Sequence, residues 1–164
     1  MFKNELNHIV AWGETDPAGI VFYPNFYHWF DFATHEMFKA AGLSPSELLS
    51  SNGIILPLVS SAADFFKPVK YDETVTIQTT VEKVGSKSIT ISHKILLYGE
   101  VAVKGIEVRV WVKQTDGEVK GMPIPENVKS ILLGRWWYDL SMTLYKVFII
   151  PDSPHVSNND AEYN

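Results

Sequence analysis

The run Trp12-Gly13-Glu14-Thr15-Asp16-Pro17-Ala18-Gly19 holds the residues best suited to chemistry. Asp16 stands directly before a proline and a flexible Ala-Gly pair, and an apolar turn leads from there into a helix-spaced stretch that opens at Pro24. A carboxylate beside a helix N-terminus, where backbone N–H groups lack intrahelical partners, is a workable site for acyl transfer. The amides stabilise a developing oxyanion while the carboxylate attacks the carbonyl or activates water. The same residues suit a plain Asp-Pro turn with no chemistry, and the pattern alone leaves both readings open.

Other candidates lie downstream. His28, Asp31 and His35 are spaced to share one helix face, which offers either a metal-ligand set or a polar seam beside a ligand or subunit contact; the seam is the expectation, with no metal. His93 falls on the apolar side of its strand and reads as a hydrogen-bonded core or interface histidine. Lys67-Pro68-Val69-Lys70 reads as a solvated corner. Eight aromatic residues crowd between Phe22 and Phe38. Most such rings are packing, but Phe22, Phe26 and Trp29 are candidate walls of an acyl pocket.

The elements that must position these residues follow from periodicity. Apolar residues at Phe26, Trp29, Phe30, Ala33, Met37 and Ala40 predict a helix from Pro24 to Ala41, with Pro24 in its first turn and Gly42 at its end. A short helix is predicted from Ser44-Pro45 to about Ser50, with Ser44 and Glu47 as a capping box. After Gly53 the period becomes two: Val75, Ile77, Thr79 and Val81 share one face, as do Ile89, Ile91, His93 and Ile95. In VAVKGIEVRVWV the apolar phase slips from Val101 and Val103 to Ile106, Val108 and Val110, which predicts a bulge at Gly105. Asp116-Gly117 is a hairpin signal. A first strand is expected over Asn7–Trp12, four strands over Leu56–Val112, and a closing helix from Pro125-Glu126 to about Leu133. One helix across one antiparallel sheet is an α+β arrangement.

Composition narrows the function. With 164 residues, 46% of them hydrophobic, the chain supports one core, and a net charge of −5 disfavours nucleic acid or an anionic membrane as partner. The absence of cysteine excludes a disulfide scaffold and a thiol nucleophile. Neither a signal peptide nor a spanning run of apolar residues is expected, and the expected address is cytoplasmic. Residues 1–134 form the expected domain. Residues 135–164 form an extension, apolar and aromatic over 135–150, then a polar tail over 152–164 expected to be disordered.

The segment WGETDPAGIVFYPNFYHWFD closely resembles the signature of the 4-hydroxybenzoyl-CoA thioesterase family, the branch of hotdog-fold acyl-CoA thioesterases whose catalytic aspartate precedes the central helix. The likeness continues through GLSPSELL and GIILPLVSSAADFFKPVKYDETVTI to about Val112, about two thirds of the chain. It implies a hotdog fold, an antiparallel sheet wrapped around one long central helix, and hydrolysis of an acyl-CoA to the free acid and CoA without metal or cofactor. Asp16 takes the place of the family's carboxylate, nucleophile through a mixed anhydride or general base for water. Tyr23 takes the place whose backbone N–H meets the thioester carbonyl. Asp31 takes the place that accepts a hydrogen bond from a 4-hydroxyl on the acyl ring. A histidine stands at the Tyr23 position in related short-chain enzymes, so its absence tilts the expectation toward aromatic acyl groups. Of the family's basic cluster for the CoA phosphates only Lys87 is matched, and Lys67, Lys70 and Lys113 are possible substitutes. The resemblance further implies a homo-oligomer, with two sheets joined edge to edge, active sites at the subunit interface, and dimers pairing into tetramers. Alternatives are a short-chain acyl-CoA or acyl-carrier-protein thioesterase, or a non-catalytic module that binds an acyl thioester.

Overall fold

Eleven regular elements carry residues 1–135, the part of the chain that the computed structural model describes. In chain order they are β1 (Lys3–Ile9), α1 (Pro24–Ala40), α2 (Pro45–Asn52), β2 (Ile54–Ile55), β3 (Leu58–Phe65), β4 (Thr74–Val84), β5 (Ser88–Leu97), β6 (Glu100–Val110), β7 (Val112–Thr115), β8 (Glu118–Gly121) and α3 (Glu126–Leu132). A five-stranded antiparallel sheet runs in the order β1-β4-β5-β6-β3, and a small sheet in the order β2-β7-β8. The long helix α1 packs on the main sheet, which is the expected hotdog arrangement. The expected extension, Arg135 apart, lies outside the described residues.

The period-two faces form as expected. Val75, Ile77 and Val81 of β4 and Ile89, Ile91 and Ile95 of β5 are all buried against α1, whose own buried face is Phe26, Trp29, Phe30, Ala33, Thr34, Met37 and Phe38. Each large apolar side chain removed from water contributes about 1.5–3 kcal/mol. Gly42, with φ +72°, ends α1: its N–H reaches the Lys39 carbonyl and that of Leu43 the Phe38 carbonyl. Asp116 and Gly117 close the β7–β8 hairpin. Ser44 is the N-cap of α2, but it bonds the Ser46 hydroxyl rather than the helix backbone, so the capping box is not made.

Two expectations are corrected. The first strand spans Lys3–Ile9 and stops before Trp12, which opens a single 3-10 turn. Its pairing with β4, from Lys3↔Thr80 to Ile9↔Thr74, is carried by largely polar residues that give no apolar alternation to read. Second, Gly105 is not a bulge. It pairs regularly with His93 on β5 and Ala63 on β3, and the slip falls at Ala102, between the pairs Ile95↔Val103 and Leu96↔Val101. The inward set of β6 is therefore Val103, Gly105, Glu107 and Arg109, while Ile106 is 46% exposed.

The glycine has a different purpose. A Cβ at Gly105 would stand 2.4 Å from Cζ of Phe30, so α1 lies close over β6 with the Phe30 ring filling the space that a side chain would take. That ring also stacks on His93, the cross-strand partner of Gly105, at 4.7 Å between centroids and 17° between planes. Gly105→Ala is expected to destabilise the protein by about 1–3 kcal/mol in urea unfolding, the usual range for overpacking. Phe30→Leu in the same chain should recover part of that loss.

Candidate active site

The loop from Val10 to Tyr23 joins β1 to α1 and is held by one residue that the sequence does not mark out. The Glu14 carboxylate accepts hydrogen bonds from the Ala11 N–H at 2.7 Å, the Trp29 indole N–H at 2.7 Å and the His8 ring at 2.9 Å. Its backbone carbonyl accepts the Phe22 N–H at 2.9 Å and the Asn25 side-chain amide at 2.7 Å. Glu14 thus ties the strand, the loop and the first turns of α1 together. Partial burial alone would raise its carboxyl. The Ala11 N–H, His8 and the Trp29 indole more than offset this and hold it below the usual carboxylate range.

Beyond Glu14 the chain makes a tight turn. Asp16 Oδ1 accepts the Ala18 N–H at 2.8 Å, the Asp16 carbonyl accepts the Gly19 N–H at 2.9 Å, and Gly19 takes φ +74°. The Asp-Pro turn is therefore present, and it leaves Asp16 Oδ2 with no hydrogen-bond partner among the described residues. The turn docks on the β3–β4 connection, where the Val21 N–H bonds the Val69 carbonyl at 2.8 Å.

The start of α1 has a specific shortage of donors. Pro24 has no N–H, the Asn25 N–H bonds the Phe22 carbonyl at 2.9 Å, and the Phe26 N–H bonds the Tyr23 carbonyl at 3.2 Å. Among the described residues no acceptor engages the Tyr23 N–H, at the N-cap of the helix. A free N–H at a helix N-terminus suits an anionic oxygen. Beside it opens a cavity of about 370 Å³ lined by Val21, Tyr23, Phe26, Phe65, Phe66 and Lys67.

The expected site residues divide. Tyr23 and Phe26 line the cavity, and Asp16 stands on the same loop without lining it. Phe22 lies outside the cavity, half exposed, with its edge toward Tyr23. Trp29 is corrected from pocket wall to core: it is 2% exposed and its indole is committed to Glu14. Asp31 lies about two turns further along α1, roughly 12 Å by helical rise, and its Oδ1 accepts a 2.6 Å bond from Arg109. Lys87 follows the far end of β4. Ten residue steps along the strand from Thr74 to Val84, about 33 Å at 3.3 Å per residue, separate that end from the Ile9↔Thr74 pair beside the loop. Within one subunit Lys87 and Asp16 are not neighbours. Lys67 is at the cavity but is paired with Glu100. His28, Asp31 and His35 do not gather on an ion, and no three His, Cys, Asp or Glu side chains are placed to hold one among the described residues. No described helix is long and apolar enough to cross a membrane.

A second polar group was missed because its members are far apart in sequence. Glu107 and Arg109, both buried on β6, bond each other at 3.1–3.2 Å. The Thr34 hydroxyl donates to Glu107 at 2.8 Å, and His93 Nε2 lies 3.5 Å from the same carboxylate. Burial pushes the Glu107 carboxyl up, but His93, Arg109 and Thr34 bring it below its ordinary value. A carboxyl lowered in the folded state adds stability above its unfolded value, near 4.3, and loses it as pH falls through the folded value. The melting temperature should therefore fall between about pH 5 and pH 3. Glu14→Gln should flatten that decline, as read by thermal melts across the window; an unchanged slope contradicts the assignment.

Comparison with known proteins agrees with this geometry. Residues 10–132 match the model of the thioesterase-like superfamily. The 4-hydroxybenzoyl-CoA thioesterase of Pseudomonas sp. (strain CBS-3) is 30% identical over 123 residues, covering 71% of this chain and 87% of that protein. A 1,4-dihydroxy-2-naphthoyl-CoA hydrolase of Prochlorococcus marinus (strain NATL2A) is 28% identical over 102 residues, covering 58% of this chain and 66% of that protein. Among solved structures, a gentisyl-coenzyme A thioesterase superposes with a TM-score of 0.70 at 33% identity, over 79% of this chain and 99% of its own. With a family match that spans the loop, the central helix and four of the five strands of the main sheet, the chain belongs to the thioesterase-like superfamily and is a hotdog-fold thioester hydrolase.

Proposed function

We propose that the chain hydrolyses an aromatic acyl-CoA bearing a ring hydroxyl, giving the free acid and CoA. The observation that carries this reading is the Tyr23 N–H at the head of α1, which has no acceptor among the described residues, in the same loop as the Asp16 carboxylate, whose Oδ2 has no partner among them either, and beside an apolar cavity. The thioester carbonyl oxygen takes the Tyr23 N–H, which strengthens as negative charge develops there in the transition state. Asp16 acts at the carbonyl carbon in one of two ways. As general base it takes a proton from water while the water oxygen bonds to carbon; as nucleophile it forms a mixed anhydride that water then opens. Either way the C–S bond breaks, and the CoA thiolate leaves and is protonated.

Three relatives support the aromatic half of the reading: a 4-hydroxybenzoyl-CoA thioesterase, a 1,4-dihydroxy-2-naphthoyl-CoA hydrolase and a gentisyl-coenzyme A thioesterase are each named for a hydroxylated aromatic acyl group. Asp31 is the residue assigned to receive the ring hydroxyl. Lys87, remote from its own subunit's Asp16, fits a homo-oligomer in which it meets the CoA phosphates of a neighbouring subunit's substrate. The reading calls for no metal or cofactor, and a cytoplasmic protein is consistent with the absence of a spanning helix among the described residues.

The test is steady-state CoA release from benzoyl-, 4-hydroxybenzoyl-, phenylacetyl-, naphthoyl- and aliphatic CoA esters. The highest kcat/KM is expected for a hydroxylated aryl ester. A higher value for aliphatic esters would place the chain with short-chain enzymes, and binding without release would make it an acyl-thioester-binding module.

A further inference from the structure

The polar cluster between α1 and β6 takes no part in the reaction set out above, yet it ends on a residue that does. Arg109 is 3% exposed, and its donors are almost all spent: Nε and one amino group on the Glu107 carboxylate, another on the Leu56 carbonyl at 3.3 Å, and a bond of 2.6 Å to Asp31 Oδ1. Glu107, 1% exposed, is itself held by the Thr34 hydroxyl from α1. Asp31 and Thr34 are one helical turn apart, and Glu107 and Arg109 share one face of β6. The two links together fix both the rotation of α1 and the orientation of the Asp31 carboxylate.

We propose that Arg109, braced by Glu107, is the positioning residue that sets the selectivity of the site for ring-hydroxylated acyl groups; this rests on the assignment of Asp31 as hydroxyl acceptor. An aspartate standing about half exposed on a helix otherwise samples several rotamers. Here Oδ1 is held by a guanidinium that has no freedom to move. Oδ2 is the oxygen left for a ligand, and the ionisable group facing it is His35, whose Nδ1 lies 3.5 Å away. A ring with a hydroxyl at the right place donates to Oδ2. A ring without one covers the carboxylate and leaves that oxygen with only the His35 ring at 3.5 Å in place of a close donor, and sites of this kind reject the analogue that lacks the partner group. Lysine in place of Arg109 keeps the charge but loses the planar fork that bonds Glu107 and Asp31 at once.

The experiment compares kcat/KM for 4-hydroxybenzoyl-CoA and benzoyl-CoA in the wild type, Asp31→Ala, Arg109→Lys and the double variant, with melting temperatures alongside. The wild type is expected to prefer the hydroxylated ester by about tenfold or more, the worth of one good hydrogen bond, and Asp31→Ala to abolish the preference. Arg109→Lys should cut the preference toward that of Asp31→Ala, chiefly through KM, with kcat for benzoyl-CoA within about threefold of wild type. The double variant should match Asp31→Ala. A wild-type preference retained in Arg109→Lys, or an equal loss on both esters, overturns the role of Arg109 while leaving that of Asp31 standing. No preference in the wild type overturns the Asp31 assignment and the positioning role with it. Should Arg109→Lys not fold, the near-isosteric Glu107→Gln removes the brace and is judged by the same ratio.

Discussion

The close seating of Phe30 on Gly105 is the contact on which the other positions depend. A ring can approach a strand backbone this closely only where there is no Cβ, and the 2.4 Å that a Cβ would leave makes any larger residue at 105 a displacement of the helix. This one contact sets the height of α1 above β6. The polar links next to it, Thr34 to Glu107 and Arg109 to Asp31, set the rotation of the helix. Once height and rotation are set, the helix start at Tyr23 and the acceptor at Asp31 have fixed places along a rigid rod. That is how a sheet with no functional side chain at the loop nevertheless positions the chemistry there.

Buried carboxylates in this structure are heavily partnered, whereas Ser61 Oγ and His93 Nε2 are buried without a hydrogen bond among the described residues. Glu14 is drawn partly out of water with three donors on its side chain, and Glu107 lies deeper with Arg109 and Thr34 on it. Both keep a lowered carboxyl despite burial, since the partners offset the desolvation. Against that background the Tyr23 N–H is conspicuous. At the start of α1 Pro24 has no N–H, and the Asn25 and Phe26 N–H groups bond the Phe22 and Tyr23 carbonyls, which leaves the Tyr23 N–H without an acceptor among the described residues.

Much of the molecule is legible in the residues because it is local. The Asp16 turn, α1 with its proline start and glycine end, the apolar faces of β4 and β5, and the Asp116-Gly117 hairpin all depend on neighbours within a few positions. The strand β1 was misplaced because Asn4, Glu5 and Asn7 offer no apolar rhythm. The face of β6 is not legible in the sequence, because Ile106, Val108 and Val110 look like core whereas Glu107 and Arg109, the residues that are buried, look like surface. Their partners Thr34 and Asp31 lie 73 and 78 residues away, beyond any pattern in a window. Two charges of opposite sign at i and i+2 around apolar residues, in phase with a glycine, were the available hint. Nothing near Trp29 in sequence announces Glu14 as the acceptor for its indole, so its place in the core is not legible from the residues.

Family membership and geometry meet at Asp16. The superfamily match begins at residue 10 and so includes the loop, where Asp16 Oδ2 and the helix-cap Tyr23 N–H have no partner among the described residues. The most direct test is the kcat of Asp16→Asn on the best CoA ester, with melting temperature and ligand affinity measured on the same preparation. A folded variant that binds with near wild-type affinity but has lost most of its turnover, about a hundredfold or more as for a missing general base or nucleophile, is the result expected. A folded variant with undiminished kcat would contradict the account.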